Sequence, residues 1–172
     1  MPRGLIRYHQ SGHSHFITFS CFHRTPRLTN EAICLTFLHS LERMRLNYRF
    51  CVYGYVLMPE HVHLLISEPE VGTIAKVIQA LKISVVRNFS GVGTLWQKRY
   101  YDHNVRTYES FMNKLRYIHR NPVKRCLCTR VAEWQWSSCR HYATAERGIV
   151  EIESEWTADR RQGREPMLLP QS

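Results

Sequence analysis

The chain predicts an α+β fold of the ferredoxin-like, split βαβ type: an antiparallel sheet with two helices on one face, extended by an added C-terminal helix. Three observations carry this prediction. Short stretches rich in aromatic and β-branched residues alternate with a period of two, as strands do. Longer stretches repeat their apolar residues at helical spacing. The two kinds follow one another in the order β-α-β-β-α-β.

His15 to Phe22 alternates and forms the first strand. Thr29-Asn30-Glu31 then supplies a cap and an acidic first turn, and Ile33, Phe37, Leu38, Leu41 and Met44 carry a helix to about Asn47. Cys51 to Met58 is the second strand. Pro59-Glu60 turns the chain into the third strand, which carries His61 and His63. Thr73 caps a second helix with Ile74, Val77, Ile78, Leu81 and Val85 on its inner face, which Gly91-Val92-Gly93 stops. Leu95 to Val105 is a fourth strand or extended segment. A third helix runs from about Thr107 to His119 and ends at Asn121-Pro122, because a proline disfavours the helical state of the residue before it.

With 172 residues the chain can bury a core without staples, and 44% hydrophobic residues is a globular composition. No apolar run is long enough to span a bilayer. Met1 to His9 lacks a signal-peptide core, so a cytoplasmic protein is expected. Six cysteines lie scattered with no Cys-x-x-Cys pair, the pattern of free thiols in a reducing compartment. The formal net charge of +10 names a polyanion as the natural partner and excludes neither enzyme nor binding module.

Two features carry chemistry. In Val56-Leu57-Met58-Pro59-Glu60-His61-Val62-His63-Leu64-Leu65-Ile66, alternation places His61 and His63 on one face of a strand, as two ligands of one metal ion would be. The same spacing also fits two polar residues on a solvent face. Glu60 is expected to point to the other face. The third helix is the second feature. On a wheel of about 100° per residue, Phe111, Leu115, Ile118, Tyr108 and Met112 form a buried stripe, and Tyr117 lies opposite among Asn113, Lys114 and Arg120. Asn121 follows within about 40° of it. A tyrosine held for packing belongs on the stripe, although one that merely covers the surface would also stand here.

Four segments together resemble a known family. Met58-Pro59-Glu60-His61-Val62-His63, Leu95-Trp96-Gln97-Lys98-Arg99-Tyr100-Tyr101-Asp102-His103, Tyr117-Ile118-His119-Arg120-Asn121-Pro122-Val123-Lys124 and Trp134-Gln135-Trp136-Ser137-Ser138 are similar, in this order, to the single-tyrosine HUH transposases. The likeness is greatest to the REP-associated tyrosine transposases, relatives of the IS200/IS605 type. It covers roughly residues 8 to 142, giving a transposase-like domain over 1–143 and a polar tail over 144–172 that is expected to be mobile.

The resemblance implies that Tyr117 is the nucleophile, that His61 and His63 are metal ligands, and that Asn121 completes the metal site. In the IS200/IS605 type a glutamine stands four residues after the tyrosine. Asparagine is shorter and leaves its direct ligation open. The implied activity is cleavage and rejoining of single-stranded DNA beside hairpins through a 5′-phosphotyrosine, with Mg²⁺ or Mn²⁺ as cofactor and zinc as the alternative. No small-molecule substrate or membrane partner is implied. A compact monomer fits the REP-associated branch, while a dimer fits the transposon-encoded relatives. Trp96, Lys98, Arg99 and Tyr101, with Lys82, Lys114, Arg120 and Lys124, form the expected nucleic-acid surface of stacking rings and phosphate-binding cations, although Trp96 would also suit a core. A DNA-binding module without chemistry needs only that surface and stands as the alternative function.

Overall fold

The computed structural model describes residues 14–163. The N-terminal segment read above for a signal peptide, and the chain beyond 163, lie outside the described residues. The elements are β1 (Ser14–Ser20), α1 (Glu31–Tyr48), β2 (Val52–Leu57), β3 (His61–Ser67), α2 (Ile74–Arg87), β4 (Tyr101–Val105), α3 (Tyr108–Lys124), α4 (Cys139–Thr144) and α5 (Glu155–Arg161). Short 3₁₀ turns stand at Phe22–Arg24 and Val131–Glu133. The strands form one antiparallel sheet in the order β2-β3-β1-β4, as the ferredoxin-like expectation requires.

Each long helix starts where a side chain replaces a missing backbone acceptor. Asn30 accepts from the Ile33 N–H at 3.0 Å, Thr73 from Lys76 at 3.2 Å and Thr107 from Ser110 at 3.1 Å. Helix α2 ends at Arg87, before the glycines expected to stop it.

The sheet is covered on both faces. On one, Ile17, Phe19, Val62, Leu64 and Ile66 pack with Phe37 and Leu41 of α1 and Leu81 and Val85 of α2. On the other, Phe16, Tyr53, Val56 and Leu65 pack with Phe111, Leu115 and Ile118 of α3. The alternation in β3 therefore sends Val62, Leu64 and Ile66 to the first core and turns His61 and His63 toward α3. Gly54 in β2 permits the close approach of that helix, since a Cβ there would stand 2.6 Å from Leu115 Cδ1.

Two expectations fail for physical reasons. Helix α3 does not stop before Pro122 but continues to Lys124. The Arg125 N–H donates to the Asn121 carbonyl at 3.0 Å and the Leu127 N–H to the Pro122 carbonyl at 2.9 Å. Pro122 itself is buried, so its packing offsets the hydrogen bond that a proline removes.

The polar segment after 143 is also tied down over its described part. Val150 and Ile152 are buried in the main core, Ile152 pairs with Val52, and the Glu153 N–H donates to the Val52 carbonyl at 2.8 Å. Two apolar residues in a polar stretch suffice to seal the outer edge of β2. Trp136 and Ser138 seal the same edge further along, with Leu57 N–H to Trp136 carbonyl at 2.8 Å and Ser138 N–H to Tyr55 carbonyl at 3.0 Å. All six cysteines are free thiols. Among the described residues no helix is long and apolar enough to cross a membrane.

Candidate active site

His61 and His63 are both buried, 4% and 5% exposed, and their Nε2 atoms stand 3.0 Å apart. Each ring is held from behind through its other nitrogen. His61 Nδ1 lies 3.0 Å from Glu60 Oε1, and His63 Nδ1 lies 2.7 Å from Thr18 Oγ1. A carboxylate can only accept, so it holds the His61 proton on Nδ1 and leaves the Nε2 lone pair bare. The Thr18 hydroxyl can donate or accept. When it accepts, both Nε2 lone pairs point into one space, the arrangement that an imidazole pair presents to a metal ion. When it donates, His63 Nε2–H bonds to His61 instead, and the pair is satisfied without a cation.

Burial disfavours a second proton on either ring. It pushes His63 down to about 3, helped by the neighbouring His61 and Lys114, and it lowers His61 against the opposing pull of Glu60. Burial alone would raise Glu60. Arg125 and His61 more than reverse this and hold its carboxyl below the usual range. Glu60 thus does not point away from the site, as strand alternation suggested. It sits in the turn before β3, where alternation does not apply, and binds Arg125 at 2.7 Å and Arg24 at 3.4 Å.

Helix α3 lays three residues along this pair at positions i, i+4 and i+8: Tyr117, Asn121 and Arg125. The Tyr117 ring stands edge-on to His63, with centroids 5.3 Å apart, and to Phe16 at 5.9 Å. It remains 42% exposed. Arg125 reaches Glu60 behind His61. Asn121 lies between these two contacts and is buried, 5% exposed, with no hydrogen bond to its side-chain amide among the described residues. A buried amide without a partner is costly.

The two convergent imidazoles fit a divalent ion, and Asn121 stands one helical turn beyond Tyr117 on the same helix. Among the described residues no third His, Cys, Asp or Glu joins the pair. His119 is turned away from Tyr117: its Nε2 lies 2.8 Å from Ser138 Oγ, and burial pushes it down to about 4.

The expected nucleic-acid residues divide into three groups. Lys98, Arg99, Tyr101, Arg120 and Lys124 are exposed. Lys114 lies over the Phe16 ring, 4.6 Å from its centroid, and Phe16 in turn stacks on His63 at 5.2 Å, so this cation belongs to the site itself. Trp96 does not join the surface. It is 7% exposed, packs edge-on against Phe19 and Phe37, and donates from Nε1 to the Lys82 carbonyl at 3.3 Å. Its indole fills the first core and has no free face for a base. Lys82 is engaged as well, donating to the Gln97 carbonyl at 2.9 Å over the Phe19 ring. Glu60, Thr18, Phe16 and Arg24 were not foreseen as parts of the site, because they come from a turn and from strand pairings that no spacing in the chain reveals.

Comparison with known proteins gives the family and the fold. The family model described as IS200-like transposase matches residues 9–121. A REP-associated tyrosine transposase of Escherichia coli K12 is 24% identical over 156 residues, spanning 89% of this chain and 90% of that protein. A Haemophilus influenzae protein named for the same class is 30% identical over 117 residues, 58% of this chain and 65% of that one. Among solved structures, a REP-associated tyrosine transposase bound to a REP hairpin superposes with a TM-score of 0.67 at 23% identity, covering 82% of this chain and 86% of the other. That likeness speaks for the fold. The family match spans more than half of the chain: this protein belongs to the IS200-like transposase family.

Proposed function

We propose that the protein is a metal-dependent endonuclease and strand transferase of single-stranded DNA, acting at REP-like hairpins with Tyr117 as nucleophile. The observation that carries this reading is the Tyr117 ring set against His63, whose Nε2 converges with that of His61 at 3.0 Å. The ring is 42% exposed beside the buried imidazole pair, which leaves it open to a strand laid over the site.

His61, His63 and Asn121 would hold Mg²⁺ or Mn²⁺, which when bound would polarise the scissile phosphate and favour the phenolate. The chain's own groups do the rest. Lys114, Arg24 and Arg125 surround the histidines and draw the phosphate in. The Tyr117 oxygen bonds to phosphorus as the bond to the 3′ oxygen breaks. The phenolic proton passes to water, and the departing oxygen takes one up to become a 3′-hydroxyl. The product is a 5′-phosphotyrosine. Attack on it by another 3′-hydroxyl reverses the step and joins strands without ATP.

Tyr117 stands beside His63 of its own chain, which supports a monomer acting in cis, and the DNA substrate supports a cytoplasmic location. Incubating the wild-type protein and Tyr117→Phe with hairpin DNA and Mg²⁺ or Mn²⁺ tests the reading on a denaturing gel. A covalent adduct with wild type alone is expected. An adduct with both would remove Tyr117 from its role, and hairpin binding with no adduct from either would leave a DNA-binding module.

A further inference from the structure

The two edges of the sheet are treated differently. Ile152, Trp136 and Ser137 cover the outer side of β2, whereas among the described residues β4 has no partner on its outer side. On that open strand Tyr101 and His103 point to the same face. Their rings are parallel within 2°, with centroids 6.4 Å apart, and Tyr101 is 55% exposed.

Strand pairing shows which face this is. Tyr101 is opposite Thr18 and His103 opposite Phe16 across β1, and Thr18 is in turn opposite His63 across β3. The ring pair therefore shares the face that carries His63 and Tyr117, two strand spacings away, or about 10 Å. Asp102 points to the other face, where it binds His15 at 2.8 Å, so its negative charge is kept off the rings. Lys98, Arg99 and Arg106 are exposed at the two ends of the strand.

We propose that Tyr101 and His103 form a slot for one unpaired nucleobase of the strand being cut, within about three stacked nucleotides of the scissile phosphate. A base stacked on both faces needs about 6.8 Å, twice the stacking rise of about 3.4 Å. The centroid distance of 6.4 Å, the most the parallel planes can be apart, falls slightly short of this, so a small outward turn of the two side chains admits the base. Rings interleaved with cations are how unpaired strands are bound without sequence reading. A paired base cannot enter the slot, so it selects the single-stranded flank over the hairpin stem. This inference rests on the reading of the neighbouring site as one that handles DNA.

The test uses the full chain with Tyr117→Phe, which cannot cleave, and a fluorescein-labelled hairpin oligonucleotide with a thymidine flank in Mg²⁺. Affinity is read by anisotropy while an abasic site is moved along the flank. Tyr101→Leu is expected to weaken the intact probe about tenfold, within the range for loss of one stacked base, and Tyr101→Phe to restore it. One abasic position should cost the parent a similar factor and the Tyr101→Leu protein nothing more. Losses that multiply at every position, or an intact-probe affinity unchanged in both Tyr101→Leu and His103→Ala, would overturn the slot. A 2-aminopurine at the coupled position supplies a reading on the DNA side, quenched by the parent and not by Tyr101→Leu. Should wild type form no phosphotyrosine while this coupling holds, the slot stands and only the chemistry falls.

Discussion

Arg125, at the C-terminal cap of the tyrosine helix, donates to Glu60 at 2.7 Å, and the same carboxylate oxygen lies 3.0 Å from His61 Nδ1. One carboxylate thus ties the helix that carries Tyr117 to the strand that carries the histidines. It also fixes the tautomer that His61 needs in order to bind a cation through Nε2.

Glu60→Gln keeps the shape and can still accept a hydrogen bond, but it removes the charge that stabilises the His61 ring orientation. Losing such an outer partner typically costs about 10- to 100-fold in metal affinity. Titration of Mn²⁺ into Glu60→Gln by calorimetry should show a loss in that range. Thr18→Val should act in the same direction, because His63 Nδ1 then has no hydroxyl to donate to. Unchanged Mn²⁺ affinity in both variants would show that neither group positions the pair.

Acid should weaken the fold through its buried imidazoles. His63 is held down to about 3 and His119 to about 4, against about 6.5 in an unfolded chain. The unfolded state therefore takes up protons first. Stability from these groups is complete above about pH 6.5 and is lost as the pH falls toward 4. Urea midpoints measured from pH 7 to 4.5 should fall steadily. His119→Gln, which can keep the Ser138 contact, should flatten that slope, with at most about 3 kcal/mol at stake.

Gly54 faces Leu115 of α3 with no room for a Cβ. In Gly54→Val the side chain would collide with Leu115, whose Cδ1 stands 2.6 Å from the position of a Cβ. Overpacking of this kind costs about 1–3 kcal/mol. Because Tyr117 and Asn121 ride on the displaced helix, adduct yield should fall further than stability does. Denaturation and gel assays on the same preparation compare the two.

Trp96 and Arg99 stand three residues apart and should respond in opposite ways. Trp96→Ala removes a buried indole and should cost about 3–5 kcal/mol of stability. Arg99→Ala should leave stability within about 0.5 kcal/mol, as expected for an exposed side chain. If Arg99 meets a phosphate, its loss should reduce the salt slope of single-strand binding by about 0.7. Anisotropy titrations across a range of salt concentrations check the second statement and urea curves the first.

Much of this architecture is legible in the chain, and the misses share one cause. The helices declare themselves through Asn30, Thr73 and Thr107 and through their apolar spacing, and His61 and His63 through alternation along one strand. These are local patterns. Thr18 and Phe16 belong to the site only because β1 pairs with β3 in one register, which is a long-range fact. Glu60 sits in a turn, so the alternation rule misplaces it. Trp96 carries the same signature in a core as on a binding face. Pro122 stays helical because tertiary packing outweighs its local preference, and Val150 and Ile152 are too few to stand out among charged neighbours although they seal a sheet edge.

Mass spectrometry of the protein–DNA adduct identifies the residue that attacks the phosphate. After reaction with hairpin DNA and Mn²⁺, nuclease trimming and tryptic digestion, the expected product is a nucleotide linked through a 5′-phosphate to the peptide Tyr117–Arg120. A nucleotide carried by any other residue, or a cleaved strand with no protein-linked product, would contradict it.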